Sequence, residues 1–359
     1  MALLKMAVLG LSHGLKFVNC LKKCGEAKLV AVADLDPDKA ISLSGAMNTS
    51  LADCLGNDVA IYKDYRDLLE DMHGNIDGVF AALPNQLHVE VTEEVAKRGL
   101  ALLLEKPIAC TMAEASRIID IVDKLKIKFM VGHHRRFNKK VIRVKEAIEK
   151  GELGKILGAN MVWAAKKADE YFEQEWRITE NIGGPLLNNL IHDIDNLRYM
   201  IGEIEMVHAR VSNLSRGNPV EDTCAVLAGF KNGAVASIFL ADNAPSPWFY
   251  EACTQENDLT YPCSSNCYTF FGEKASLSFP NMDLFYYEPG TKAGWQWPIK
   301  QERLVVDRFN VIDEEVKHFC ALISGEEESK ITARDAAESL RVIEAIKESS
   351  KLGKAVYLF

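Results

Sequence analysis

Over its first 130 residues the chain alternates short apolar runs with longer stretches whose apolar positions recur every three or four residues. KMAVLG (5–10), AKLVAVAD (27–34), DGVFAAL (77–83), LALLLE (100–105) and KFMVGHH (128–134) are read as strands, with VAIY (59–62) a weaker one. The stretches between them, LKFVNCLKKCG, DPDKAISLSGAM, DYRDLLEDM, QLHVEVTEEVAKRG and TMAEASRIIDIVDKL, are read as helices. Buried strands separated by single helices predict βαβ units, hence a Rossmann-like parallel sheet with helices on both faces.

Beyond residue 137 the pattern changes. One helix, NKKVIRVKEAIEKGELG, leads into strands and then into a second helix, GGPLLNNLIHDIDNLRYMIG. Long alternating runs follow, VHARVSNLS, DTCAVLAGFKNGAVASIFLAD, CYTFFGEKASLSFP and DLFYYEP, and KNGA inside the second is a hairpin signal. This half is expected to be a largely antiparallel sheet with few helices. Two helices at about 308–323 and 333–351 close the chain. The expected organisation is therefore an α/β domain over residues 1–124 and an α+β domain over 125–359, whose last helix is able to pack back on the first.

Composition narrows the class. A chain of 359 residues, 48% hydrophobic and 26% charged, is expected to be globular and to form about two domains. No run reaches the 18 or so uncharged apolar residues of a membrane span, and MALLKMAVLGLSHG lacks the layout of a signal peptide, so a cytoplasmic protein without a membrane partner is expected. Nine scattered cysteines suit a reducing compartment, and the pair Cys263 and Cys267, with no second Cys/His pair nearby, is read as thiols in a loop rather than a metal site. A net charge of −9 argues against nucleic-acid binding. SGEEESK (324–330) is read as a solvated loop between helices.

The stretch after the first strand has two readings. Gly10-Leu11-Ser12-His13-Gly14 fits G-x-S-x-G, the turn that presents a nucleophilic serine in α/β-hydrolases. That turn needs strands before it, whereas a loop after the first strand is where a dinucleotide-binding fold holds pyrophosphate on a helix N-terminus. The second strand ends on Asp34, where such folds carry an acid for the ribose hydroxyls, and the dinucleotide reading is preferred. Against the G-x-G-x-x-G fingerprint the chain keeps Gly10 but has Ser12 and Leu15, with Gly14 displaced by one. Ser12 and His13 are read as phosphate donors or loop formers. Asp34 favours NAD over NADP, and Lys39 is the residue able to reverse that preference. An alternative reading makes Asp34 a turn former only.

LPNQLH (83–88), LLLEKPIA (102–109), GHHRRFN (132–138), YFEQEWR (171–177) and GGPLLNNLIHDID (183–195), in that order, resemble the Gfo/Idh/MocA family, the glucose-fructose oxidoreductase and inositol dehydrogenase group. The resemblance spans nearly the whole chain, and Glu105-Lys106-Pro107 is its most specific motif. It implies a nicotinamide-dependent oxidoreductase acting on a sugar or cyclitol hydroxyl. It also implies a second domain with an open-faced sheet that mediates homodimers or homotetramers. By position, Glu105 and Lys106 would lie at the cofactor, Pro84 and Asn85 would line its cleft, and His192 would be the acid/base. Where the family has aspartate, this chain has Asn188.

The chemistry can be stated without the family. Oxidising an alcohol removes a hydride and a proton, so the site needs a base and a place where negative charge on oxygen can develop. A histidine suits the first task and a lysine ammonium the second. In an α-helix residues 188, 192 and 195 would share a face. An amide at 188 orients the imidazole but withholds a charge interaction of about 1 kcal/mol in water and ~4 at an effective dielectric of 20, a role open to Asp195. Arg136, Lys167 and Arg177 add cations to an acidic chain, so a substrate bearing a carboxylate, such as a sugar acid, is one expectation; Trp248 and Glu251 are further pocket candidates. The competing reading is a cofactor-binding sensor of the same fold without turnover, and a third is an enzyme that oxidises and re-reduces one substrate on a retained cofactor.

Overall fold

The protein is described from a computed structural model, which covers residues 3–43, 51–56, 58–257 and 260–359. It forms two compact units: Met1–Phe137 with Asn310–Leu340, and Asn138–Phe309 with Arg341–Phe359.

In the first unit six parallel strands, β1 (Leu4–Leu9), β2 (Ala27–Ala33), β3 (Ala60–Tyr62), β4 (Gly78–Ala81), β5 (Ala101–Glu105) and β6 (Phe129–Gly132), stand in the order β3-β2-β1-β4-β5-β6. They alternate with α1 (Leu11–Leu21), α2 (Pro37–Leu43), α3 (Leu51–Leu55), α4 (Tyr65–Asp71), α5 (His88–Lys97) and α6 (Met112–Leu125). The expected helix over 36–47 is α2, and its last four residues lie outside the described residues. The strands read as continuous apolar runs because both faces are covered: Met6 to Leu9 and Leu102 to Leu104 have no exposed surface. Phe17 of α1 stacks on Phe80 of β4 at 4.7 Å, and Phe80 meets the edge of Phe319 at 5.1 Å. Such ring pairs add about 0.5–1.5 kcal/mol each beyond burial.

In the second unit α7 (Lys139–Glu149) leads into β7 (Ile156–Ala164), and α8 (Ile191–Ile201) follows. Then come β8 (Ile204–Ser212), β9 (Thr223–Phe230), β10 (Val235–Ala241), the short α9 (Tyr250–Thr254), and β11 (Tyr268–Gly272) to β14 (Lys300–Arg303) through β12 (Ala275–Phe279) and β13 (Asp283–Tyr286). The terminal elements are α10 (Val311–Ser324) in the first unit, α11 (Ala333–Leu352) and β15 (Val356–Tyr357). The nine strands form one sheet, β14-β13-β12-β11-β7-β10-β9-β8-β15, antiparallel except for β10 against β7. KNGA makes the β9–β10 hairpin, with Gly233 at φ 86°. Along β9 and β10 burial alternates: Val226, Ala228, Ala236 and Ile238 are buried, while Leu227, Val235 and Phe239 are exposed. One face of this sheet is therefore covered and the other open.

The acidic run between α10 and α11 is not wholly solvated as expected. Its Glu327 lies 2.5 Å from Nδ1 of the buried His318, a hydrogen bond that ties the run to α10.

Candidate active site

In the first unit the strand order reverses at β1 and β4, and ligands of open α/β sheets bind in the crevice outside the carboxyl ends at such a point. Gly10 follows β1 with φ 81°, and a Cβ there would sit 2.4 Å from the carbonyl oxygen of Ala82, which follows β4. Only glycine fits this turn. The sequence reading began the helix at residue 15; it begins at Leu11, so Ser12, His13 and Gly14 form its first turn rather than a loop. The reason is Asp34: its Oδ2 accepts the Leu11 N–H at 2.7 Å and caps a helix whose own N-cap, Gly10, has no side chain to do so. Gly14 brings the helix down on β1, since a methyl there would lie 2.7 Å from Val8 Cγ1.

The exposed Ser12 and His13 thus sit in the first turn of a helix whose dipole suits a phosphate, its Leu11 N–H already taken by Asp34. Asp34 also accepts the Asp36 N–H at 2.9 Å, so it shapes its turn as well. A carboxylate has about four lone-pair positions, so two remain for ribose hydroxyls. These features fit a dinucleotide.

β5 ends on Glu105, and Lys106 follows it. Glu105 is buried and pairs with Lys16 of α1 at 2.5 Å, while its Oε2 accepts the Lys106 N–H at 3.2 Å. Burial alone would raise its pKa, but the Lys16 and Lys106 charges prevail and hold it at about 2. Beyond the cis Lys106–Pro107 bond, the loop is pinned at its exit by Thr111 and Glu114 at the start of α6, whose side chains bond each other's backbone. At its entry His88 sits fully buried between the loop carrying Pro84 and Asn85 and the loop carrying Lys106, Nδ1 2.9 Å from the Pro107 carbonyl and Nε2 3.1 Å from that of Leu83, its neutral ring donating to one carbonyl and packing against the other. Burial lowers the His88 pKa, although the carbonyls around it favour the proton. Arg136 forms an ion pair with Asp335 in the same unit.

In the second unit α8 is preceded by one π turn, Leu186–Leu190. Its N-terminus is capped from a distance: Glu221 Oε1 accepts the Leu186 N–H at 2.8 Å and packs against Gly184 at φ 88°. The expected α-helical spacing therefore fails at one point. Asn188 lies in the wider π turn, so it is not set directly one α-turn before His192, whereas His192 and Asp195 keep that relation within α8. His192 is buried, and buried Asp195 lies 3.9 Å from Arg198. The helix is anchored on the sheet through Tyr268 of β11, which donates to Asp193 and accepts from Asn196 at 3.3 Å.

Lys167 reaches the same π turn, but its partner is Asn189 at 2.8 Å. It also faces the rings of Tyr171 and Trp163, at 4.5 and 5.4 Å, and lies 3.8 Å from Asp242. Burial depresses its pKa to about 8 against the pull of Asp242 and Glu251. Arg177 stacks on Tyr171 at 3.9 Å. Trp248 is half-exposed, and Glu251 accepts the Trp163 indole N–H at 3.1 Å. Lys16, His88, Asn189, Glu221 and Tyr268 were not singled out from sequence. Only Lys16 had a local signal, one turn after Ser12 on α1.

Residues 4–133 match the profile of an oxidoreductase family described as an NAD-binding Rossmann fold, and residues 141–278 match that of the GFO/IDH/MocA C-terminal domain. The chain belongs to the Gfo/Idh/MocA oxidoreductase family. Among its relatives, the rhizopine catabolism protein MocA of Rhizobium meliloti is 24% identical over 343 residues, 93% of this chain and 94% of that protein. The myo-inositol 2-dehydrogenase of Thermotoga maritima is 29% identical over 244 residues, 66% and 67% of the two chains. The WlbA dehydrogenase of Bordetella pertussis, solved with NADH and UDP-GlcNAcA, shares the fold at TM-score 0.78 and 23% identity, covering 100% of this chain and 99% of that one. This family member is a nicotinamide-dependent oxidoreductase. Among the described residues no helix is long and apolar enough to cross a membrane.

Proposed function

We propose that the protein is an NAD-preferring dehydrogenase that oxidises a secondary hydroxyl of a sugar, cyclitol or sugar acid. The observation that carries this is the carboxyl edge of the first sheet, where a turn that admits only Gly10, the acid Asp34 and the Glu105–Lys106 strand end occur together. Ser12, His13 and the first-turn amides of α1 hold the pyrophosphate, Asp34 the adenosine ribose, and Pro84 and Asn85 the cofactor cleft. When bound, the nicotinamide supplies the hydride acceptor. Lys106 stabilises the oxygen as it gains charge, His192 takes the hydroxyl proton, and Asp195, one α-turn on, orients the histidine.

Asp34 is the test of cofactor choice. Titrating the protein with NADH and NADPH by fluorescence should show NADH binding at least about tenfold tighter, the preference collapsing in Asp34→Ala as a lost charge-assisted hydrogen bond removes roughly 1.5–3 kcal/mol. Equal affinities in the parent protein would refute the NAD preference.

A second proposal concerns assembly. Leu157, Leu227, Val235, Phe239 and Phe271 are exposed on the open side of the second sheet, beside a shallow groove of about 690 Å³. An apolar patch of this kind marks a contact surface, and a homodimer or homotetramer is proposed. Sedimentation velocity should give two or four times the 40.0 kDa chain mass, reduced by Phe239→Lys. A 40.0 kDa species at micromolar concentration would rule this out.

A further inference from the structure

The second unit contains a cationic box that the alcohol chemistry leaves without a task. Both cations sit against the Tyr171 ring, the Lys167 ammonium 4.5 Å from the centroid and the Arg177 guanidinium carbon at 3.9 Å. Two cations on one ring repel each other, and each is partly desolvated, so an anion between them would relieve both costs.

The charges around the box are nearly all committed elsewhere. Arg216 takes Asp242 Oδ1 at 3.0 Å, reaches exposed Asp169 at 3.2 Å, and donates to the Lys167 and Asp242 carbonyls at 2.8 Å each. Glu251 is held by Trp163. That leaves Lys167 bonded to the neutral amide of Asn189 and in a long ion pair with Asp242 at 3.8 Å, which Asp242 shares with Arg216. Arg177 has no carboxylate partner among the described residues: its Nη1 donates to the Tyr171 carbonyl at 2.8 Å, and its Nε, buried, donates to nothing. What remains is Arg177, a half-buried guanidinium with no carboxylate partner among the described residues and one buried donor unused, beside a Lys167 whose ion pair with Asp242 is long, a setting for one small anion.

Position fits that task. Lys167 bonds Asn189 of the π turn, three residues before His192 in sequence, so an anion held against Lys167 lies beside the N-terminal end of the helix that carries the proton acceptor. We propose that Lys167, Tyr171 and Arg177 form a carboxylate-binding subsite, and that the enzyme's preferred substrates are sugar or polyol acids rather than neutral polyols. The proposal rests on His192 being the proton acceptor, as proposed above. A carboxylate is favoured over a phosphate because a dianion would need a second unmatched cation.

The pH response follows from the same groups. Lys167, with its pKa depressed to about 8 by burial, carries its charge below that value and loses it above. Asp242, Glu251, Arg177 and Arg216 are the charged groups that face it. Acid binding should therefore hold below pH ~8 and fall as the pH rises through it, with a bound carboxylate moving the fall upward.

The experiment compares kcat/KM for D-glucuronate, D-galacturonate and D-gluconate with that for D-glucose, D-galactose and myo-inositol. It adds calorimetric titration of the same compounds into NADH-saturated protein. The acid-to-neutral ratio should exceed about 30, drop at least about tenfold in Lys167→Met and in half-buried Arg177→Gln, and lose its decline above pH ~8 in Lys167→Met. A ratio near one, or a ratio that neither variant changes, would overturn the subsite. Neutral polyols oxidised without acid preference would leave the dehydrogenase reading standing and remove the subsite. Acids that bind through Lys167 but are never oxidised would do the reverse. Absence of both binding and turnover would overturn both.

Discussion

Replacing Lys106 with methionine should lower kcat by about 10²–10⁴ on whichever panel substrate turns over fastest, while NADH affinity stays within about fivefold. The reasoning starts at Glu105. Held ionised by Lys16, this carboxylate fixes the backbone N–H of Lys106 at the end of β5, and the Thr111–Glu114 caps close the loop behind it. The ammonium therefore hangs from a backbone secured on both sides. Methionine keeps the length and loses the charge, so the backbone stays in place and only the charge stabilisation disappears. A kcat within tenfold of the parent would end the role assigned to Lys106. The companion variant His192→Gln should lose a comparable factor, because glutamine fills the space but accepts no proton. Retention of turnover in both would move the chemistry elsewhere.

Gly10→Ala should weaken NADH binding at least about thirtyfold and lower the melting temperature by several degrees. A methyl at Gly10 meets the Ala82 carbonyl at 2.4 Å, and φ 81° adds a backbone penalty of roughly 1–2 kcal/mol. Relief requires β1 and β4 to part where the pyrophosphate would sit. Gly78→Ala is the control. Its methyl meets Ile323 Cδ1 at 2.8 Å, at the opposite end of β4, so it should cost similar stability while changing NADH affinity by less than about threefold. Equal losses of affinity in both variants would mean that general loosening, not the turn, sets binding.

Most of the architecture could be read from hydrophobic period because buried parallel strands and half-buried antiparallel ones write different patterns. The failures share one cause, a partner far along the chain. The start of α1 was missed because its cap, Asp34, lies 23 residues on. The π turn before His192 was missed because its cap, Glu221, lies 35 residues from Leu186. Arg136 could be named as a cation, but Asp335, 199 residues away, decides what it pairs with. Lys167 was legible as a candidate, whereas its partner Asn189, 22 residues on, was not.

The His88 clamp has a thermodynamic side. Because one buried ring fills the space between the Leu83 and Pro107 carbonyls, 3.1 and 2.9 Å away, and donates to one of them, the loops after β4 and β5 pack as one preorganised wall. Ordering a rotamer-rich side chain at the moment of association costs about 0.5–1.5 kcal/mol, and a loop costs more. That penalty has already been met during folding, so the arriving ligand's contacts with this wall translate more fully into affinity.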